Sequence, residues 1–301
     1  MQDMQPTVAI IIPCFNRWPH IQEAIESVLT QTWSNTQCIV VDDASTDDSF
    51  ARLKEHYETH PKVTIHQLES NQGQSAARNR GVELSDSDYI GFLDSDDLFV
   101  DTAVASRIQL AKDHPNFEGI VFGEKVDETT KQSLLPGKKP HAESLILSEY
   151  IENMGWLCTN SFIMKRKAFI DLNGFNESLR KKEDVEFFLR ALSIHEARYA
   201  KGACCMVRDL DTQRARHDHE RIIEQGQRFI EAVQTIPKLS CTLTKDQKKK
   251  LVRADTKSAL QSLYRMKQSR RFRRTMREAI TAGKIRPDFR MFKRYLLSFF
   301  W

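Results

Sequence analysis

The sequence predicts an α/β protein: a Rossmann-like, mixed but mostly parallel sheet flanked by helices, with a helical C-terminal extension. Three observations lead there. Apolar runs of strand length alternate with amphipathic helical stretches through the first hundred residues, the rhythm of a parallel sheet crossed over by helices. The first two of those runs are continuous rather than alternating, as in strands buried on both faces. From about residue 218 onward helical spacing prevails, with breaks near Pro237 and Pro287.

The elements follow in order. Val8–Ile12 is a β-branched run that reads as a buried strand. Ile21, Ala24, Ile25, Val28 and Leu29 recur at helical spacing. Cys38–Val41 is a second buried strand, Ser49–His60 a weaker helix and Val63–Leu68 a third strand. Gln74–Leu84 suits a helix and Tyr89–Leu93 a fourth strand. Thr102–Asp113 reads as a helix, Gly119–Gly123 and Ser161–Met164 as further strands, and Asp127–Glu143 as a mobile loop rich in Lys, Pro, Gly and Thr. Val185, Phe188, Leu189 and Leu192 form one stripe of a helix over Glu183–His195. Residues 1–217 are expected to form the catalytic domain, with a ligand-binding half over about 1–100 and a second half over about 101–217. Residues 218–301 form a basic helical region.

Composition narrows the function. With 40% hydrophobic and 29% charged residues, the chain is globular rather than disordered. No apolar run approaches the roughly 20 residues of a membrane-spanning helix, and Val8–Ile12 is too short for a secretory leader. Six cysteines without CxxC spacing read as reduced thiols of a cytoplasmic protein. The net charge of +4 hides a split: Cys241–Trp301 carries 18 Lys and Arg against four acids, or +14, leaving −10 on the first 240 residues. Such a tail meets something anionic or folds onto the body.

Acids sit where the strands end. Asp42-Asp43 follows the second strand and Asp94-Ser95-Asp96-Asp97 the fourth. In a parallel sheet both clusters lie at the edge where ligands bind. Carboxylates gathered there repel unless a cation or hydrogen-bond donors offset them. A hard divalent ion, Mn²⁺ or Mg²⁺, fits oxygen ligands and keeps positions open for phosphate. A lone Asp-x-Asp is also an ordinary capped turn. Ser45 or Thr46 is expected to cap the next helix, leaving Asp43 free for ligand.

Five segments resemble glycosyltransferase family 2 in order over roughly residues 7 to 190. They are Ile11-Ile12-Pro13-Cys14-Phe15-Asn16, Val40 to Asp47 (VVDDASTD), Asn71 to Gly81 (NQGQSAARNRG), Phe92 to Asp97 (FLDSDD), and Gly174 to Glu177 (GFNE) followed by Lys182 to Arg190 (KEDVEFFLR). The resemblance implies a GT-A fold and inverting transfer of a sugar, usually from a uridine diphosphate donor, in bacterial surface-polysaccharide synthesis. By the same resemblance, Pro13 and Phe15 border the base and ribose, and Asp43 accepts from the base. Gly73 lets the backbone approach the nucleotide, and Arg78 sits near the base or phosphates. Asp94 with Ser95 reaches the ribose or a metal-bound water, and Asp96 binds the metal. Asp184 is the implied general base; a single carboxylate suffices for one in-line displacement. The helix start is expected to keep it ionised, although Glu183-Asp184 also reads as plain helix-start acids. The family often has Gly before this pair, where Lys182 stands. In Arg214-Ala215-Arg216-His217 the spacing departs from the family's Arg-x-His, and His217 is a candidate metal or diphosphate ligand. Trp156 reads as a stacking platform for an acceptor sugar or as core.

The implied partners are a nucleotide-sugar donor and a glycan or lipid-linked acceptor. Basic pairs interleaved with Phe292, Tyr295, Leu296, Leu297 and Phe299 suit a helix lying on anionic membrane, a surface against the acidic body, or a homodimer contact; nothing else asks for nucleic acid. Two other classes compete. A metal-dependent nucleotidyltransferase needs a basic, Gly-rich phosphate loop that Pro13–Trp18 lacks. A non-catalytic glycan-binding protein keeps the fold alone.

Overall fold

The computed structural model describes residues 5–135, 144–152, 154–208 and 219–299. The chain divides into two compact units, Met1–Leu210 and Asp211–Trp301.

The first unit is built on β1 (Val8–Cys14), β2 (Thr36–Asp42), β3 (Val63–Gln67) and β4 (Tyr89–Phe92), all parallel in the order β3-β2-β1-β4. Val8–Ile12 is fully buried because β1 is central, covered by helices and flanked by strands on either side. Helix α1 (His20–Leu29) turns Ile21, Ala24, Ile25 and Val28 inward, and α2 (Ser49–Tyr57) buries Leu53 and Tyr57. Helix α3 (Gln74–Glu83) lies so close to β1 that a Cβ on Gly81 would stand 2.4 Å from Ile11.

Past β4 the sheet becomes mixed. It continues through β8 (Phe162–Lys165), β6 (Ile120–Asp127), β9 (Ala197–Val207) and β5 (Leu98–Phe99), with β7 (Ser144–Leu145) against β9. β8 runs antiparallel to both β4 and β6, whereas β6 and β9 are parallel with a register shift near Glu124. β9 carries no strand signal in the sequence: its middle, Lys201-Gly202-Ala203, is exposed and lacks branched residues. Helices α4 (Ala103–Asp113), α5 (Leu147–Glu152), α6 (Arg166–Asp171) and α7 (Glu183–Leu192) complete the unit. Of the loop expected over Asp127–Glu143, residues 136–143 lie outside the described residues.

An aromatic layer places α7. Phe187 packs on Phe162, Phe169 and Phe175 with ring centroids 4.9–5.9 Å apart, and Phe92 of β4 joins the same cluster. Arg190 pairs with the buried Glu186 at 2.6 Å and donates to the Gly174 carbonyl at 2.7 Å, locking α7 to the preceding loop.

The second unit contains α8 (His219–Thr235), α9 (Pro237–Thr242), α10 (Lys245–Arg265), α11 (Ser269–Thr281) and α12 (Phe289–Leu297). Pro237 is the first residue of α9 and Thr244 caps α10 in a reciprocal capping box. Its core is Leu260, Leu263, Phe272, Met276, Ala279 and Ile285, against which Met291 and Tyr295 of α12 pack. The other side of α12 exposes Phe289 (84%), Phe292 (53%), Leu296 (48%) and, just beyond the helix, Phe299 (58%), one stripe by helical spacing.

Candidate functional site

The register puts both acidic loops at one edge. Cys14 of β1 pairs with Asp42 of β2, and Ile11 pairs with Phe92 of β4, so the chains leaving β2 and β4 emerge on either side of the end of β1. The turn after β1 ties into the first acidic loop. Asn16, at φ 53, accepts at Oδ1 from the Thr46 N–H (2.8 Å), and its own N–H donates to Ser45 Oγ (2.9 Å). Pro13 is half-buried, and the Phe15 ring is exposed beside this turn.

The first loop turns its acids inward. Asp42 accepts from the Ser45 N–H (2.9 Å), the Ser45 hydroxyl and Gln67 Nε2 (3.0 Å). Asp43 is not left free, contrary to expectation. Its two oxygens accept from the backbone N–H groups of Gln72 (2.6 Å) and Gly73 (2.7 Å), so they fasten the third motif to the second. Burial raises the Asp43 carboxyl above its ordinary range, against those two bonds and the nearby Arg180. Neither Ser45 nor Thr46 caps α2. The helix starts later, at Ser49, whose N–H donates to Asp47 Oδ1 (2.9 Å). Gly73 stands at φ 90, so the conformation calls for glycine, and a Cβ there would displace the flexible end of Arg180, 1.7 Å away.

The second loop gathers carboxylates. Asp94, Asp96 and Asp97 each offer an oxygen, all within 4.8 Å of one another. Asp94 and Asp96 are half-buried, whereas Ser95 and Asp97 are buried. Asp94 and Asp96, both partly open to solvent, fit a divalent cation, which would offset the repulsion within the cluster. Two residues not singled out in the sequence hold the loop. Asn160 accepts from the Asp94 N–H (2.9 Å) and donates to Asp97 Oδ2 (2.6 Å). Arg208 donates its N–H to Asp97 Oδ1 (3.1 Å) and its Nε to the Asp96 carbonyl (2.7 Å). A lone Asn or Arg more than sixty positions away carries no local signal; only the folded sheet brings them near.

Arg78 joins this loop to α7. It is buried, pairs with Asp94 Oδ1 at 2.7 Å and Glu183 Oε1 at 3.1 Å, and lies over the Phe175 ring at 5.5 Å. Glu183 also accepts from Gln74 Nε2. Burial and the adjacent Asp184 push the Glu183 carboxyl up to about 7, with Arg78 opposing. Asp184 accepts the Val185 N–H at 2.8 Å. Its carboxyl is also raised, chiefly by burial, against the pull of Arg78 and Lys125. The helix start is expected to keep it ionised, and burial works against that. A carboxyl tuned upward holds a proton better, as a general base must. Lys182 precedes the pair in the left-handed region, φ 61, the conformation that glycine adopts without strain. Trp156 is buried. His217, with Arg214 and Arg216, lies outside the described residues.

The family described as "Glycosyl transferase family 2" matches residues 9–172. The chain is 28% identical over 222 residues to chondroitin synthase of Escherichia coli, a match covering 70% of this chain and 32% of that one. Its fold is similar to that of Staphylococcus aureus TarS 1-349 in complex with UDP-GlcNAc, at a TM-score of 0.55 and 16% identity, covering 87% and 83% of the two chains. It is also similar to mannosyltransferase PcManGT from Pyrobaculum calidifontis in complex with GDP-Man and Mn²⁺, at a TM-score of 0.60 and 17% identity, covering 94% and 77%. The matched part spans between 32% and 62% of the length of three curated relatives.

Proposed function

The chain belongs to glycosyl transferase family 2, and on that premise we propose that it moves a sugar from a nucleotide-sugar, a uridine diphosphate sugar, to a hydroxyl of a glycan or lipid-linked acceptor, with inversion. The observation that carries this reading is the convergence of the Asp94–Asp97 carboxylates with the Glu183–Asp184 helix start through a single buried guanidinium, Arg78. One end of the site suits a diphosphate with its cation, the other an acceptor hydroxyl.

Asp96, with Asp94, would hold Mn²⁺ or Mg²⁺, and His217 is the further ligand suggested by the sequence. When bound, such an ion offsets the charge that grows on the leaving diphosphate. The chain's own residues do the rest. Pro13, Phe15, Asp43 and Gly73 border the base and ribose, with Asp43 acting through the Gln72–Gly73 backbone it fastens. Asp94 and Ser95 face the ribose side. Arg78 acts on the nucleotide indirectly, by orienting Asp94. Asp184 takes the acceptor proton as its oxygen attacks the anomeric carbon from the face opposite the diphosphate. A chondroitin synthase among the relatives supports polysaccharide synthesis as the setting, and the neighbour with UDP-GlcNAc supports a uridine donor.

Thermal shifts across a panel of UDP- and GDP-sugars, with and without Mn²⁺, test the donor. Stabilisation by a UDP-sugar only with metal is expected; a flat panel would sink the proposal. Asp184→Asn is expected to lower transfer by about 10²–10⁴-fold while donor stabilisation persists. Undiminished transfer would remove Asp184 from its role.

No helix among the described residues is long and apolar enough to cross a membrane. The outward stripe of α12, Phe289, Phe292, Leu296 and Phe299, is flanked by Arg290 and Lys293, and we propose that it lies on anionic lipid, beside a lipid-linked acceptor. Sedimentation with phosphatidylglycerol vesicles and not with phosphatidylcholine is expected, and Phe292→Asp is expected to abolish it. Equal sedimentation with both lipids, or with neither, would reject this surface.

A further inference from the structure

We infer that Asn160 is a positioning residue that clamps the Asp94–Asp97 loop in its cation-binding shape, with Arg208 as the second jaw. The inference rests on the proposed reading of that loop as a metal site. Asn160 lies in the 3₁₀ turn Thr159–Ser161 that leads into β8, and it is buried. Its one planar carboxamide spans the loop: Oδ1 takes the N–H of Asp94, and Nδ2 gives a hydrogen bond to the carboxylate of Asp97. Residues 94 and 97 are thereby held at a fixed separation, reinforced by the turn in which the Asp97 N–H donates to the Asp94 carbonyl (3.1 Å).

Arg208 closes the loop from the end of β9. Its N–H and Nε reach Asp97 and the Asp96 carbonyl, and its guanidinium is anchored by the Glu23 carboxylate and the His20 carbonyl. Both carboxylate oxygens of Asp97 therefore accept from the clamp. Asp97 is the buried member of the cluster, whereas Asp94 and Asp96 remain half-exposed. Asp97 thus shapes the loop, and Asp94 and Asp96 present it. Only a group that donates and accepts at once can make the Asn160 bridge; an ionised carboxylate accepts alone. Hydrogen-bond partners that orient ligating loops typically contribute 10–100-fold to metal affinity.

A polarity swap tests this on the full chain. Asn160→Asp keeps the acceptor for the Asp94 N–H but sets a carboxylate against Asp97. The double variant Asn160→Asp/Asp97→Asn restores a donor facing an acceptor, keeps an oxygen for the Arg208 N–H and leaves the net charge unchanged. Mn²⁺ binding, read by electron paramagnetic resonance with UDP present, is expected to weaken about 10–100-fold in the single variant and to recover most of that loss in the double. Asn160→Ala removes both bonds without adding charge and is expected to show a similar loss, which guards against a folding defect in the first variant. Amide exchange at residues 94–97, measured without metal, is expected to quicken in both single variants and return towards wild type in the swap. Wild-type affinity and exchange in Asn160→Ala, or a swap no better than Asn160→Asp, would overturn the clamp. A wild type that takes up no Mn²⁺ would instead overturn the metal reading of the loop, and the exchange rates would decide the clamp by themselves.

Discussion

The loop after β2 keeps its acids among near neighbours and strands of the same half, whereas the loop after β4 is held by residues far along the chain. Asp42 and Asp43 are satisfied by Ser45, Gln67, Gln72 and Gly73. Asp94, Asp96 and Asp97 are gripped by Asn160 and Arg208, and Asp94 is tied through Arg78 to Glu183. Both loops cap parallel strands at one sheet edge. The first is a structural brace that turns a backbone toward the ligand side. The second is a cluster of like charges kept together from outside.

Four measurements would break or sharpen that contrast. The largest effect is expected at Arg78, where the far-reaching contacts converge. Arg78→Ala strands the buried Glu183 beside Asp184, and urea unfolding at neutral pH is expected to show a loss of about 3–5 kcal/mol. A loss below about 1 kcal/mol would mean that the two halves are not joined there.

The two loops can next be set directly against each other. Asp96→Ala is expected to leave stability within about 1 kcal/mol of wild type, because it relieves repulsion, yet to lower transfer on the order of 100-fold. Asp43→Ala is expected to cost about 1–3 kcal/mol of stability by orphaning the N–H groups of Gln72 and Gly73, with a smaller effect on turnover than on donor affinity. Matching profiles for the two variants would erase the distinction.

A third measurement uses pH. Glu183 titrates near 4.5 when unfolded and is pushed up to about 7 in the fold by burial and by Asp184. Between those values the native state binds the extra proton, so this group's contribution to stability declines as pH rises from about 4.5 to 7. Glu183→Gln is expected to flatten that decline, read by urea unfolding across this pH range. A decline as steep as that of the wild type would remove Glu183 as its source.

The smallest effect belongs to Lys182→Gly. Relief of the left-handed strain at φ 61 and the extra freedom of an unfolded glycine nearly cancel, so a net change within about 1 kcal/mol is expected on thermal unfolding. A loss of several kcal/mol would show that the lysine side chain holds α7 in place.

What the sequence made legible follows the same divide. The β1–β4 strands were readable because central parallel strands are continuous apolar runs, and Val8–Ile12 or Cys38–Val41 have no alternative reading of that length. The acids were readable because each follows such a run at once. β9 was not, since its exposed Lys201-Gly202-Ala203 stretch has no strand pattern and lies at the register shift, where pairing with β6 on either side holds the strand. Asn160 and Arg208 were invisible for the same reason, being ordinary residue types whose meaning is spatial. The expected cap at Ser45 or Thr46 failed because those residues serve the preceding turn, bonding Asn16 instead of the next helix.

The trio of the buried Arg78 and Glu183 with the half-exposed Asp94 has a consequence for inheritance. Arg78 faces both acids, so a lineage that loses the arginine alone leaves Glu183 stranded in its interior. The three are expected to be replaced together or kept together as the family diverges, and a relative that lacks the arginine should also have traded away at least one of the acids. The trio would then be inherited as a unit, and an alignment of relatives would show it as covariation among positions 78, 94 and 183.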